Sequence, residues 1–291
     1  MMILAFPDYL IQAQRLAARL DVPLAEVCLH HFPDGESLIR LPPSLPEHVT
    51  VCRSLNQPND KLIELLLCAT TARELGAKRL TLVAPYLSYM RQDIANQPGE
   101  AVSQRIVGKL LAELFDDVLT VDPHLHRISS LAQAIPIRNA ISLTAADQIG
   151  IFLKQQFKHA LLLGPDRESE QWVKAIASNI GFDYAIADKN RLGDKQVEMT
   201  LPDRDFSNQP VVIVDDMAST GRTLAKAAGL LQARGCRDIC VVVTHALFCG
   251  DAYTHLLDAG VKTIWSTDSI GHPSSCIKLD SLLADAIKAI A

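Results

Sequence analysis

The sequence predicts an α/β protein made of two tandem halves, and three observations carry that expectation. Short β-branched runs alternate with longer helical patterns between His48 and His124, as HVTVCRSL, NDKLIELLLCATTARELGA, KRLTLVAPYL, AVSQRIVGKLLAELF and DDVLTVDPH. This is the rhythm of βαβ crossovers, which lay down parallel sheets flanked by helices. After Ile141 the rhythm restarts with HALLLGPD, QWVKAIASNIG, DYAIADKN, QPVVIVDD, RTLAKAAGLLQARG, DICVVVTHALF and VKTIWSTDS, and a last helix starts at Asp280. Each half also carries a hydrophobic strand that ends in an acid and a loop, VLTVDPH in the first and VVIVDDM in the second. That likeness is compatible with a duplication. The expected domains are residues 1–143 and 144–291, with the final helix packing back on the first.

Within this scheme the helix over 60–76 has Asn59 and Asp60 as cap candidates and stops at Gly76. The polar segment 189–209, KNRLGDKQVEMTLPDRDFSNQ, is expected to be a mobile loop. A chain of 291 residues that is 48% hydrophobic has room for two α/β cores. Its net charge of -5, with 28 basic and 33 acidic residues interspersed, provides no basic stripe, so nucleic acid is excluded as a partner. No apolar run reaches bilayer length, and the opening MMILAFPDYLIQAQRLAARL lacks the basic start of a signal sequence. A cytoplasmic protein with no membrane partner is expected. The seven cysteines form no C-x-x-C pair and are expected to be reduced core thiols, serving neither a zinc site nor a disulfide framework.

The stretch VVIVDDMASTGRTL, residues 211–224, concentrates the chemistry. Ligands of open parallel sheets sit beyond the carboxyl ends of the strands, where Asp215 and Asp216 are expected to stand. The small residues and hydroxyls that follow lead into a helix expected to begin near Thr223, a setting suited to a phosphate monoester. Two carboxylates suit a pair of sugar hydroxyls, which are donors in need of acceptors. Together they describe a site for a sugar phosphate such as ribose 5-phosphate.

The complete string resembles the phosphoribosyl-binding signature of type I phosphoribosyltransferases. Further strings, FPDGE at 32–36, NQPNDKLIELLL at 56–67, PYLSYMRQD at 85–93, PGEAVS at 98–103, VDPH at 121–124, GPD at 164–166 and DKNR at 188–191, follow in the order of the ribose-phosphate pyrophosphokinase family. The resemblance covers nearly the whole chain and is closer to the short archaeal type. It implies two tandem type I phosphoribosyltransferase-type domains, each with a mainly parallel sheet, ATP on the first side and ribose 5-phosphate on the second. It also implies Mg²⁺ as cofactor, a homodimer or larger homo-oligomer, and transfer of the diphosphoryl group of ATP to the sugar's anomeric hydroxyl.

Carried over by position, the resemblance assigns ATP contacts to Phe32, Asp34, Gly35 and Glu36, contributed across a subunit interface, and to Arg91 and Gln92. An aromatic face with two acceptors on a tight turn suits an adenine ring and its amino group. Arg91, after an aliphatic strand, is expected at a sheet edge where a guanidinium can meet phosphate. His124 and Asp166 are implied Mg²⁺ contacts, while His126 has no assigned role. Lys189 and Arg191 are implied catalytic residues on a loop that closes over the transferred group, with Arg191 also near the sugar phosphate. Asp215, Asp216, Ser219, Thr220, Gly221, Arg222 and Thr223 are implied to bind ribose 5-phosphate.

The chain departs from the family after Asp166, where Arg167, Glu168, Ser169 and Glu170 replace small, glycine-rich residues. Two extra acids beside a polyphosphate would repel it unless Mg²⁺ or Arg167 compensates. The Asp-Asp cradle also fits a phosphoribosyltransferase that consumes phosphoribosyl pyrophosphate, and the altered loop fits a weakly active regulatory paralogue. Dependence on ATP separates these readings.

Overall fold

The computed structural model describes residues 1–125, 127–191 and 197–290. The chain divides into two compact units, Met1–Thr144 with Leu279–Ala291, and Ala145–Lys278. The first unit opens with β1 (Met2–Ala5), α1 (Leu10–Leu20) and β2 (Leu24–Glu26), followed by a hairpin of β3 (Cys28–His31) and β4 (Ser37–Arg40). It continues with β5 (His48–Cys52), α2 (Pro58–Glu74), β6 (Arg79–Val83), α3 (Ser103–Leu114), β7 (Asp117–Val121) and β8 (Asn139–Leu143). The second unit opens with α4 (Ala146–Gln156), β9 (Leu161–Gly164), α5 (Glu170–Ile180) and β10 (Asp183–Ile186), followed by the antiparallel pair β11 (Asp188–Arg191) and β12 (Val197–Thr200). Then come β13 (Val211–Ala218), α6 (Arg222–Ala233), β14 (Ile239–Ala246), α7 (Ala252–Asp258), β15 (Thr263–Thr267) and β16 (Ser275–Ile277), before α8 (Asp280–Ile290).

Both units have a six-stranded sheet, ordered β2-β1-β5-β6-β7-β8 in the first and β10-β9-β13-β14-β15-β16 in the second. Every neighbouring pair in these sheets is parallel. Counted along the chain, each sheet runs second, first, third, fourth, fifth, sixth, and each unit inserts a two-stranded antiparallel pair between its second and third sheet strands. The repeat is therefore one of topology. It corrects the pairing of VLTVDPH with VVIVDDM: β7 is a fifth strand, whereas β13 is a third strand, whose counterpart is β5.

Strands covered on both faces are mostly apolar, and β7 and β14 are buried along their whole lengths, Asp117, Thr120, Thr244 and His245 included. Some local expectations shift. The second helix starts at Pro58 behind Gln57, so Asn59 and Asp60 lie in its first turn and do not cap it. Proline suits that place because the first helical N–H needs no intrahelical partner. DYAIADKN is broken at Ala187 into two strands, and of the expected loop 189–209 the flanks pair as a ladder, Lys189 opposite Met199 among them, while 192–196 lie outside the described residues. The thiols also divide: Cys52, Cys68, Cys236 and Cys240 are buried, but Cys28, Cys249 and Cys276 are exposed, all of them free. Burial pushes Cys52 and Cys68 up to about 12, which keeps them as unreactive thiols.

In the first unit α8 buries Leu283, Ala284 and Ile287, and its Asp280 pairs with Arg19 and lies 3.7 Å from Arg15 on α1. Arg79 donates to the Ile290 carbonyl at 2.5 Å and to Asp117 Oδ2 at 2.8 Å. Burial would raise the Asp117 carboxyl, but hydrogen bonds from Arg79, Asn139 and Thr81 outweigh it and hold the group below the ordinary range. A carboxylate depressed by folding stabilises the native state above its unfolded pKa, and that contribution is lost as pH falls through the folded one. Asp117→Asn is expected to cost about 1–3 kcal/mol at neutral pH. Urea unfolding at decreasing pH should show the gap from the wild type narrowing on the acid side; a gap independent of pH would remove Asp117 from this role.

Candidate functional site

In the second unit, β13 carries its two acids inside the strand, with Asp215 opposite Val243 and the ladder resuming at Met217 opposite His245. The strand thus runs two residues beyond the acids, to Ala218, where a strand tip was expected. Asp216 is buried and Asp215 half-buried, and the Asp216 N–H donates to Asp215 Oδ1 at 3.0 Å. Burial, then the charges of Asp216 and of Asp166, push the Asp215 carboxyl well above the usual carboxylate range. Opposed charges or hydroxyl donors from a ligand would relieve that repulsion.

Ser219, Thr220 and Gly221 form the turn into α6, which starts at Arg222, one residue before the expected Thr223. The turn is fixed by N–H groups of the segment after β14: Phe248 donates to the Ala218 carbonyl at 2.8 Å and Cys249 to that of Ser219 at 2.9 Å. Gly221 has φ +68, and a Cβ there would lie 3.2 Å from the Ala252 carbonyl oxygen. Glycine is needed on both counts. No side chain caps α6, so the N–H groups of its first turn are left to an outside acceptor. Thr220 and Arg222 are exposed beside them, and Ser219 and Thr223 are half-buried.

The loop after β9 closes on itself. Asp166 Oδ1 accepts the N–H of Glu168 at 3.1 Å and that of Ser169 at 3.2 Å, while Ser169 Oγ donates to the Asp166 carbonyl at 2.6 Å. Ser169 is wholly buried, and Gly164 leaves room for it: a Cβ on Gly164 would lie 2.5 Å from Ser169 Oγ. Glu168 and Glu170 are exposed. Arg167 Nε donates to Asp188 Oδ1 at 3.1 Å, joining the loop to the residue that begins β11. Lys189 and Arg191 lie on that strand, opposite Met199 and Val197.

In the first unit FPDGE is the turn of the β3–β4 hairpin. Phe32 N–H donates to the Glu36 carbonyl at 2.8 Å, Gly35 N–H to that of Phe32 at 2.9 Å, and Glu36 N–H to Asp34 Oδ1 at 3.2 Å. Gly35 takes φ +93, and Phe32 is exposed with its ring edge-on to His30. Arg91 and Gln92 follow β6 on a separate segment, where Gln92 accepts Ser103 Oγ–H at 3.3 Å and its carbonyl accepts Gln104 N–H at 3.2 Å. Asp93 pairs with Arg127 at 2.6 Å. His124 is half-buried three residues beyond β7, after Asp122, whose φ is +38. His126 lies outside the described residues.

Among the described residues no group of three or more His, Cys, Asp or Glu is placed to hold a metal ion. Mg²⁺ does not require one, since it keeps several waters and takes one or two protein carboxylates with substrate phosphates. The hard oxygen donors of Asp166, whose charge is felt at Asp215, fit that demand. One feature lies outside the sequence reading: Arg53, just beyond β5, is buried with Glu64 of α2 at 2.5 Å and its guanidinium stacked 3.9 Å from the Phe6 ring centroid. The sequence signal was a cation closing an apolar strand.

The family model described as the N-terminal domain of ribose phosphate pyrophosphokinase matches residues 1–114, and the phosphoribosyl transferase domain model matches 140–275. The ribose-phosphate pyrophosphokinase of Methanopyrus kandleri is 34% identical to this chain, covering 99% of each. That of Methanothermobacter thermautotrophicus is 32% identical, covering 95% of this chain and 97% of its own. The crystal structure of phosphoribosylpyrophosphate synthetase from Mycobacterium smegmatis is similar with a TM-score of 0.83 at 22% identity, covering 99% of this chain and 98% of that one. The fold is thus two tandem phosphoribosyltransferase-type domains. Among the described residues no helix is long and apolar enough to cross a membrane.

The geometry of the turn yields a direct test. Gly221→Ala is expected to cost about 1–2 kcal/mol through its left-handed backbone and to weaken binding of inorganic phosphate, read by urea unfolding and calorimetric titration. Unchanged phosphate affinity would detach the turn from anion binding.

Proposed function

Because the chain belongs to the ribose-phosphate pyrophosphokinase family, and is therefore a diphosphotransferase, we propose that it moves the diphosphoryl group of ATP to ribose 5-phosphate. The anomeric hydroxyl attacks the β-phosphorus and loses its proton, the bond from that phosphorus to the α-phosphate oxygen breaks, and AMP leaves with phosphoribosyl pyrophosphate formed. The observation that carries this reading is the pair of adjacent carboxylates, Asp215 and Asp216, one short turn before the uncapped N-terminus of α6.

In this reading the 5-phosphate sits on the Ser219–Gly221 turn and the first turn of α6, with Arg222 and the hydroxyls of Thr220 and Thr223 as further donors. The ribose hydroxyls donate to Asp215 and Asp216, replacing part of the repulsion between the two carboxylates with hydrogen bonds. Phe32, Asp34, Gly35 and Glu36 hold the adenine across a subunit interface, and Arg91 and Gln92 meet the ATP as well. Lys189 and Arg191 stabilise negative charge on the transferred group and on AMP, the main task in phosphoryl transfer. His124 in the first unit and Asp166 in the second would each offer a contact to Mg²⁺, which when bound neutralises triphosphate charge. The working protein is a cytoplasmic homodimer or larger homo-oligomer.

AMP release from ATP and ribose 5-phosphate by the purified protein tests the activity, and excess chelator should abolish it. Binding of both substrates without AMP release would favour the regulatory reading instead. Lys189→Ala is expected to lower turnover at least about a hundredfold, the scale of losing one charge-stabilising donor, with little change in ribose 5-phosphate affinity. Normal turnover in that variant would remove Lys189 from the chemistry.

A further inference from the structure

An isolated two-stranded hairpin is marginal in water, and β3–β4 leaves half or more of its side chains exposed on each strand. Something outside the hairpin has to orient its turn. His31 and Ser37 are opposite each other in register and flank residues 32–36, so they form the base of the turn. Both donate to the same atom: Glu64 Oε1 accepts His31 Nε2–H at 2.6 Å and Ser37 Oγ–H at 2.9 Å. Glu64 is 1% exposed on α2, and its other oxygen lies 2.5 Å from Arg53 Nη2.

Arg53 is in turn immobilised. Its guanidinium stacks on Phe6 and lies 3.6 Å from Asp8, which pairs with Lys61 at 2.5 Å. Burial alone would push the Glu64 carboxyl up, but the His31 bond, the Arg53 charge and the Ser37 bond outweigh it and hold the group below the ordinary glutamate range. Glu64 is therefore an ionised acceptor, and the His31 ring must donate from Nε2.

We propose that Glu64 is a positioning residue for nucleotide binding: by gripping both sides of the hairpin base it fixes the Phe32–Glu36 turn relative to α2. The inference rests on the ATP reading of that turn. Leu29 and Ile39, paired across the hairpin, already pack one face of it against the core; a single donor at the base would still leave the turn to tilt about that contact, whereas two donors from opposite strands onto one carboxylate oxygen fix its tilt. The ribose 5-phosphate side has no part in this clamp, so the effect should fall on one substrate.

The test compares the double variant His31→Ala/Ser37→Ala, which spares the buried Glu64–Arg53 pair, with His31→Gln, Glu64→Gln and Phe32→Ala. The double variant is expected to raise KM for ATP about tenfold, the scale of losing hydrogen bonds to a charged group. KM for ribose 5-phosphate should stay within about twofold, and amide exchange at Phe32 and Gly35 should quicken. His31→Gln, which keeps an N–H donor, should restore most of the loss, and Glu64→Gln should match or exceed the double variant. If Phe32→Ala raises KM for ATP but the double variant does not, the clamp is refuted and the ATP reading stands. If Phe32→Ala leaves it unchanged, the ATP reading of the turn fails, and Glu64 loses its role in nucleotide binding even where exchange quickens.

Discussion

Parallel strand pairing is the constraint on which everything else here depends. Neighbouring parallel strands cannot be joined by a tight turn, so each connection crosses over a face of the sheet and brings the chain back to the same starting edge. All strand carboxyl ends of one sheet consequently open on one edge. In the second unit that edge collects Asp166 after β9, Asp215 and Asp216 near the end of β13, and the turn into α6. In the first it collects Arg53 after β5, Arg91 and Gln92 after β6, and His124 after β7.

The repeated topology lets the two units be compared strand by strand. Each third strand delivers charge to that edge, but of opposite sign. The charge of the cation after β5 is matched inside its own unit by Glu64, with Asp8 and the face of Phe6 beside it, although its Nε and Nη1 are buried without a hydrogen-bond partner among the described residues. The acids of β13 have the reverse problem: they repel each other, and Asp166 adds to the repulsion. The following helices differ in the same sense. Neither has a side-chain cap, but α2 begins with Pro58, which removes one N–H from its first turn, whereas α6 begins with Arg222 behind Gly221 and keeps all of its first-turn N–H groups. One third-strand edge carries a cation paired within its own unit, and the other carries two adjacent carboxylates whose repulsion raises the Asp215 carboxyl. One strand order thus carries opposite charges at equivalent positions of its two copies.

The strand and helix rhythm of the sheets was legible because buried parallel strands are mostly apolar and their covering helices periodic. VVIV and LLL could only be interior strands once turn residues bounded them. The inserted pairs were not legible. β3 and β4 are short and mostly exposed, so they carry no apolar signature, and the start of β11 read as the tail of the DYAIADKN strand, with no signal for the partner strand β12. FPDGE could be recognised as a turn from Asp-Gly chemistry, yet what holds that turn could not. The partners of Glu64 lie 33 and 27 positions away in sequence and in different elements. Glu64 itself looked like one more polar position on a helix. Asp215 and Asp216 were legible by type, but not the two further strand residues that place them within the ladder.

The acidic loop after Asp166 owes its shape to its own hydrogen bonds. Written out, RESE adds two carboxylates next to a polyphosphate reader. Folded, Ser169 is buried and its N–H, with that of Glu168, is spent on Asp166, which turns the loop back on itself. Glu168 and Glu170 are left at the surface, where water and salt screen them beyond about 8–10 Å. Arg167 meanwhile reaches Asp188 at the start of β11, the strand that carries Lys189. The pair is exposed, so its worth in stability is small, but it links the loop after β9 to the inserted strands. The folded loop thus ties the end of β9 to the start of β11 through Arg167 and Asp188 and leaves its two glutamates at the surface, while the one acid of the loop whose charge is felt at Asp215 is Asp166 itself.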